Sequence, residues 1–193
     1  MSIETLSRKD QINQVAQNLF REKGYSATSM RDLAKAIGIE AASLYSHIKS
    51  KEELLQNICF RIAAEFFDEY DRVQNGTTDP KLRFRHAVTA HTRVVASNLD
   101  ASSVFFNEWR HLNEPSLSEF KAQRAAYEDR FKNLLREGIE AGVFRKVQVS
   151  FAMRLVFSTL NGIPTWYRND GALSPDQIAE QIADFLLEGL LKK

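Results

Sequence analysis

The stretch from Gln11 to Leu55, QINQVAQNLFREKGYSATSMRDLAKAIGIEAASLYSHIKSKEELL, leaves this chain few ways to fold. Ile12, Val15, Ala16, Leu19 and Phe20 recur at helical spacing and make one apolar stripe. Lys23 and Gly24 close that helix, a cation near its negative end followed by a residue that accepts positive φ. Ser29 is placed to cap a second helix, with Asp32 in its first turn. Leu33, Ala34 and Ile37 form the buried side of that helix, and Gly38 supplies a tight turn. A short third helix follows from Ala41 to Ser46 with Leu44 as its anchor, and Ser50-Lys51-Glu52-Glu53 opens a fourth as a capping box.

Two short helices joined at a glycine and seated on a longer amphipathic one are the usual frame for placing a recognition helix in the major groove. The pattern resembles the N-terminal domain of the TetR family of bacterial transcription regulators over residues 8–58. Ala27 to Ala34 resembles that family's second helix with its threonine- and serine-rich start. Gly38-Ile39 and Ser43 to Lys51 resemble the turn, the recognition helix and the start of helix four. The resemblance implies a DNA-binding head at 1–52, a long linking helix at 51–74, and a ligand-binding and dimerisation body at 53–193. The chain departs from the pattern at Glu40, where a small hydroxyl residue usually caps the recognition helix. A glutamate caps poorly there and turns its charge toward phosphate.

On this reading the DNA-facing residues are Thr28, Ser29, Arg31, Ala41, Ala42, Ser43, Tyr45, His47 and Lys51. Lysine and arginine neutralise phosphate, while tyrosine, serine and histidine donate to its oxygens. Alanine can meet a thymine methyl and serine can bond either base partner, so direct readout by Ala41, Ala42 and Ser43 is thin. Shape and phosphate positioning then carry much of the specificity. Tyr45 and His47 have an alternative as packed residues of a short helix.

Charge agrees with this placement. Residues 1–51 hold eight Lys/Arg against five Asp/Glu, whereas the remainder holds 18 against 20. No apolar run approaches the ~18 residues of a membrane span. The start MSIETLSRKD lacks the apolar region of a signal peptide. Cys59 is the single cysteine, so neither an intrachain disulfide nor a cysteine metal site is expected. A cytoplasmic protein without cofactor is the simplest expectation.

Residues 1–7 read as a loose arm, with Arg8 and Lys9 the cations beside it. Helix four runs to about Val73 and is broken by Asn75-Gly76. Beyond it every segment reads helical, near 80–98, 101–113, 115–141, 148–168 and 174–191, with no sustained alternation of period two. The expected fold is therefore all-α, a three-helix head plus an antiparallel helical bundle. The helix near 148–168 is apolar almost all round, and the last one carries Ile178, Ile182, Phe185 and Leu186. In the family resembled, the last two long helices pair with their copies in a second subunit. That gives Leu160, Ile163, Ile178, Ile182, Phe185 and Leu186 a dimerisation role, with an internal core seam as the alternative.

Catalytic patterns do not emerge. His86 and His91 stand five apart, about 140° around a helix, whereas a helical metal pair wants three or four. HExxH, GxSxG, Walker A and GxGxxG sequences do not occur. Ligand binding is better supported. Thirteen phenylalanines accompany the groups Phe105, Phe106, Trp109, Arg110 and Tyr127, Phe131, and aromatic residues between helices are a common lining for apolar ligands. Phe105 to Trp109, Arg124 to Phe144 and Leu160 to Arg168 resemble the body of TetR regulators that respond to acyl-CoA thioesters. That resemblance gives Arg110 and Arg168 a phosphate or carboxylate to pair at a pocket mouth, and lets Trp166 and Tyr167 stack or line an acyl channel; Phe157 is a further candidate for the ligand site.

The reading is a homodimeric, ligand-responsive repressor that binds a near-palindromic DNA operator and leaves it when an apolar effector, an acyl-CoA thioester in the narrower form, is bound. Two rivals stay open beside it: an effector-free DNA-binding architectural or division-control factor, and a small-molecule-binding protein with a vestigial head.

Overall fold

Several helices begin where the chain supplies a capping side chain. The computed structural model describes residues 7–74 and 76–192. Residues 1–6 of the expected arm and Asn75 of the expected break lie outside these; Arg8 and Lys9 belong to the first helix. Helix α1 (Arg8–Lys23) starts at Ser7, whose hydroxyl accepts the Asp10 N–H, and stops at Gly24. Helix α2 (Met30–Ile37) opens on a reciprocal Ser29–Asp32 capping box and ends at Gly38, where φ 76° and ψ 35° give the left-handed conformation glycine adopts without strain. Helix α3 (Ala41–Tyr45) follows, and Glu40 makes no side-chain cap bond to it.

Helix α4 (Lys51–Gln74) is long and continuous. Its N-terminal box is shifted by one residue. Glu53 N–H donates to Ser50 Oγ at 3.0 Å, but the Glu53 carboxylate accepts from the Lys49 N–H at 2.8 Å. Then come α5 (Pro80–Ser97), α6 (Leu99–Asn107), a 3₁₀ turn (Trp109–His111), α7 (Ser116–Glu140), α8 (Val149–Asn161), α9 (Ile163–Trp166) and α10 (Pro175–Leu190), the last capped by Ser174 and Gln177.

Two expected boundaries are corrected. The segment expected as one helix over 101–113 tightens into 3₁₀ geometry and ends where Leu112 turns inward, 2% exposed. The helix expected over 148–168 is interrupted after Asn161, because Gly162 gives little helical support and Pro164 cannot donate to the ladder. Among the described residues the one extended pairing is an isolated antiparallel bridge, Phe144 with Leu191.

The chain divides into two units. The first runs to Ile62 and takes in Asp100–Lys121; the second comprises Ala63–Leu99 and Ala122–Lys193. In the first, Ile12, Ala16, Phe20, Leu33, Leu44, Ile48, Leu54 and Leu55 are buried together as its core. Val15, Leu19 and Ile37, expected on the same stripes, are half-buried. In the second, α10 lies along α5 and both supply buried alanines, Ala87, Ala90, Ala179 and Ala183. Small side chains let the helix axes approach. Arg85 pairs with Glu180 and Asp184, and Arg93 with Asp176, along the rim of that contact.

Gly138 marks a close approach in α7. A Cβ there would lie 2.1 Å from the Phe144 ring, so the missing side chain makes room for a phenylalanine that is itself buried. Phe144 in turn packs edge-on against Phe84 at 5.7 Å.

Candidate functional site

Leu44 is fully buried and fixes which way α3 faces. The neighbours that lie off this anchor, Ala42, Ser43, Tyr45, Ser46 and His47, are exposed, and Tyr45 is 54% exposed despite its size. Arg31 at the start of α2 and Lys49 beyond α3 are exposed as well. Ser46 and Lys49 are members of this surface that sequence reasoning passed over, although their spacing from Leu44 already places them off the core. Ala41 is half-buried. Ser29 is exposed, but its hydroxyl is engaged with Asp32, and the hydrogen bonds from Ser29 hold that carboxyl below the usual range.

Thr28 requires a correction. It is 1% exposed, and its hydroxyl donates to Gly24 O at 2.9 Å, so it ties the α1–α2 turn together and presents no side chain to solvent. Lys51 is also drawn inward. Its ammonium donates to Tyr25 O at 2.7 Å and Thr28 O at 2.8 Å, and burial pulls its pKa down. Only its third N–H is left for a phosphate.

The α1–α2 turn is held from outside the head sequence too. Tyr25 N–H donates to Glu108 Oε2 at 3.2 Å, and His111 stacks on the Tyr25 ring with centroids 5.2 Å apart. Burial first, then the Glu52 carboxylate, raises the Tyr25 pKa. Asn113 N–H donates to Glu52 Oε1 at 3.0 Å, while its amide reaches the other carboxylate oxygen. Arg21 pairs with Asp100. Asp100, Glu108 and His111 lie some 80 residues downstream of the residues they hold, at sequence separations of 79, 83 and 85, and Asn113 lies 61 beyond Glu52. No local pattern predicts them.

The ten residues expected to line a ligand site separate into groups. Phe105, Phe106 and Trp109 belong to the first unit, where Phe120 meets Phe60, Phe105 and Trp109 at 5.9, 5.1 and 6.0 Å. Arg110 is exposed and lies 4.6 Å above the Trp109 ring. Tyr127, Phe131 and Phe157 belong to the second unit and pack with Phe66 and Tyr70 around a histidine that sequence reasoning weighed only as a metal ligand, His91. Burial drives the Tyr127 hydroxyl well above the usual tyrosine range and the Tyr70 hydroxyl to about 12. Tyr167 is buried, its hydroxyl donating to Leu173 O at 3.3 Å. Trp166 departs from the channel expectation, lying on the surface of the second unit and 54% exposed, and Arg168 is exposed beside Asp170 at 3.6 Å.

The six residues expected at a dimer face divide as well. Leu160, Ile163 and Ile178 are buried in the second unit, which corrects their assignment: they are core, because they share the inward stripe with Val156 and Ala179. Ile182 and Leu186 are half-buried, and Phe185 is 76% exposed. Phe151 and Leu155 on α8 are exposed by more than half, an apolar pair one turn apart. Among the described residues, no group of three or more His, Cys, Asp or Glu could hold a metal ion, and no helix is long and apolar enough to cross a membrane.

A short exposed helix carrying small and hydrogen-bonding side chains, set by a glycine turn on a packed three-helix base, defines a helix-turn-helix DNA-binding protein. Sequence families agree. Residues 12–58 match "Bacterial regulatory proteins, tetR family", and residues 77–190 match "Tetracyclin repressor-like, C-terminal domain". The chain belongs to the TetR family, and it is a ligand-responsive DNA-binding transcriptional regulator of that type. It is 29% identical over 188 residues to the transcriptional repressor KstR2 of Rhodococcus jostii, covering 95% of this chain and 91% of that one. The structure of the ketosteroid transcriptional regulator KstR2 of Mycobacterium tuberculosis superposes with a TM-score of 0.91 at 27% identity, over 97% of this chain and 96% of the other. AibR, solved in complex with isovaleryl coenzyme A and operator DNA, superposes with a TM-score of 0.81 at 26% identity, over 96% of this chain and 98% of that one.

Proposed function

We propose that the protein is a homodimeric repressor whose α3 enters the major groove and whose second unit takes an apolar effector carrying an acyl-CoA-type thioester. The observation that carries the DNA half is the surface of α3, where Ala42, Ser43, Tyr45 and His47 stand exposed around buried Leu44. Arg31 and Lys49 add the cations a phosphate backbone attracts. Two such heads would read half-sites about one helical turn apart on a near-palindromic operator. The exposed Phe151, Leu155 and Phe185 support pairing of α8 and α10 with their copies.

The effector half is supported by the aromatic interior of the second unit and by the likeness to AibR. Helix α4 supplies the connection. It carries Lys51, which holds the α1–α2 turn, and roughly four turns further on Phe66 and Tyr70, which belong to the aromatic interior. An effector that repacks those rings biases the state of the head through its differential affinity for two arrangements of α4.

The test is selection of duplex DNA from a random pool by the full-length protein, followed by titration of the selected duplex at several salt concentrations. Two related half-sites and a steep loss of affinity with salt are expected, and release on adding an acyl-CoA supports the effector assignment. A monomer with no salt-dependent DNA binding would sink the reading.

A further inference from the structure

His91 sits in the middle of α5, 2% exposed, enclosed by rings from three other helices. Phe66 stacks on it at 4.4 Å and 20°, Tyr127 lies tilted at 5.8 Å, and Phe157 and Phe131 present edges at 5.9 and 6.4 Å. Its Nδ1 lies 3.3 Å from the Tyr127 hydroxyl. The side-chain amide of Asn161, the last residue of α8, acts on the same imidazole by hydrogen bonding, and its oxygen is buried. Three polar side chains from α5, α7 and α8 thus converge inside an otherwise apolar interior.

Such a group is costly where packing is the sole purpose. Phenylalanine would fill the space of His91 or Tyr127 and bring no polar atom to desolvate, whereas a buried polar group without full bonding costs about 1–3 kcal/mol. We propose that His91, oriented by Tyr127 and joined by Asn161, is the hydrogen-bonding point that holds a neutral carbonyl of the effector, a thioester or a ketone, and that the same enclosure rejects carboxylates. The proposal rests on the reading of the second unit as the effector-binding unit and narrows what that effector is.

Charge decides between the carbonyl and the carboxylate. Burial pushes the His91 pKa down to about 3, so the ring is neutral under physiological conditions and offers no positive charge. The cation that acts on Tyr127, Arg130, is already paired with Asp71 and lies over the Phe67 and Tyr70 rings. A carboxylate brought here would lose its hydration with no counter-ion in exchange. A carbonyl oxygen needs one donor, which a neutral imidazole or the Asn161 amide supplies. A site built on hydrogen bonds also discriminates strongly against ligands that cannot complete them.

The experiment uses the full-length protein labelled with ¹⁵N-histidine and three matched series of probes: saturated acyl-CoAs, the corresponding fatty carboxylates and the corresponding methyl ketones. Calorimetry gives affinity, and the imidazole ¹⁵N resonances, assigned with His91→Phe, report on the ring itself. The expected result is binding of thioesters and ketones with a displaced His91 resonance, no comparable binding of carboxylates, and a loss of about tenfold or more in affinity for His91→Phe and Tyr127→Phe. Tyr127→Phe keeps the ring and removes one oxygen, which guards against a packing defect in the other variant. Carboxylates binding as tightly as ketones, or a His91 resonance unmoved at saturation, would overturn the proposal while the effector reading stands. If the wild type binds no member of any series, the acyl effector reading itself falls and this inference with it.

Discussion

Lys51 and Tyr25 are joined twice. The ammonium donates to the Tyr25 carbonyl at 2.7 Å and lies 4.2 Å from the centre of the Tyr25 ring. One side chain at the start of α4 therefore fixes both the backbone and the ring of the turn that launches α2. Lys51→Ala strands the carbonyls of Tyr25 and Thr28 without that donor, and each such loss costs about 1–3 kcal/mol. The variant is expected to unfold at lower denaturant concentration and to bind selected DNA more weakly. Urea titration and fluorescence anisotropy on the same preparation check it.

DNA contacts should separate by salt dependence. Arg31→Ala removes a cation from the exposed face and should lower affinity across sequences while reducing the log–log salt slope by about one unit. Tyr45→Phe removes a hydroxyl and should weaken binding with the slope unchanged. Equal slopes for wild type and Arg31→Ala would remove that arginine from the interface.

Pairing is predicted to depend on the exposed apolar residues. Leu155→Arg and Phe185→Glu place charges where a second copy would bury them, at several kcal/mol per unpaired charge. Sedimentation velocity should show monomers with unchanged helical circular dichroism. Dimers at wild-type concentrations in both variants would put the interface elsewhere.

Acid sensitivity follows from His91. Its pKa is lowered from 6.5 to about 3 by burial, so between those values the unfolded chain holds a proton that the folded chain refuses. Stability present at neutral pH is thus lost as pH falls through that window, by up to about 1.4 kcal/mol per pH unit from this group. His91→Phe should flatten that part of the pH–stability curve, measured by denaturant titration at stepped pH.

Gly138→Ala is expected to destabilise by about 1–3 kcal/mol despite the better helix propensity of alanine, because the added methyl falls 2.1 Å from the Phe144 ring. Phe144→Leu in the same background should recover part of the loss. A stabilised Gly138→Ala protein, seen in thermal melts, would show that Phe144 has room to move.

Helices α1 to α4, the capping boxes of α2 and α10 and the glycine that stops α1 were readable in the sequence because each signal is local. Ser29 and Asp32, Lys23 and Gly24, and Ser174 and Gln177 lie within a turn of the groups they satisfy. Leu44, given its helix, also fixes which neighbours point outward. Burial on α8 and α10 was not readable. Leu160, Ile163 and Phe185 are equally apolar in the sequence, and only packing against the other helices sends the first two inward and leaves the third out. The bracing of Tyr25 by Glu108 and His111, and the gathering of rings from α4, α5, α7 and α8 around His91, join residues tens of positions apart. Helical periodicity and capping are written within about a turn of chain, so the sequence by itself determined the all-α head and its exposed short helix. Long-range contacts have no such local record, so the tertiary structure alone decided which aromatic residues gather and which polar groups they enclose.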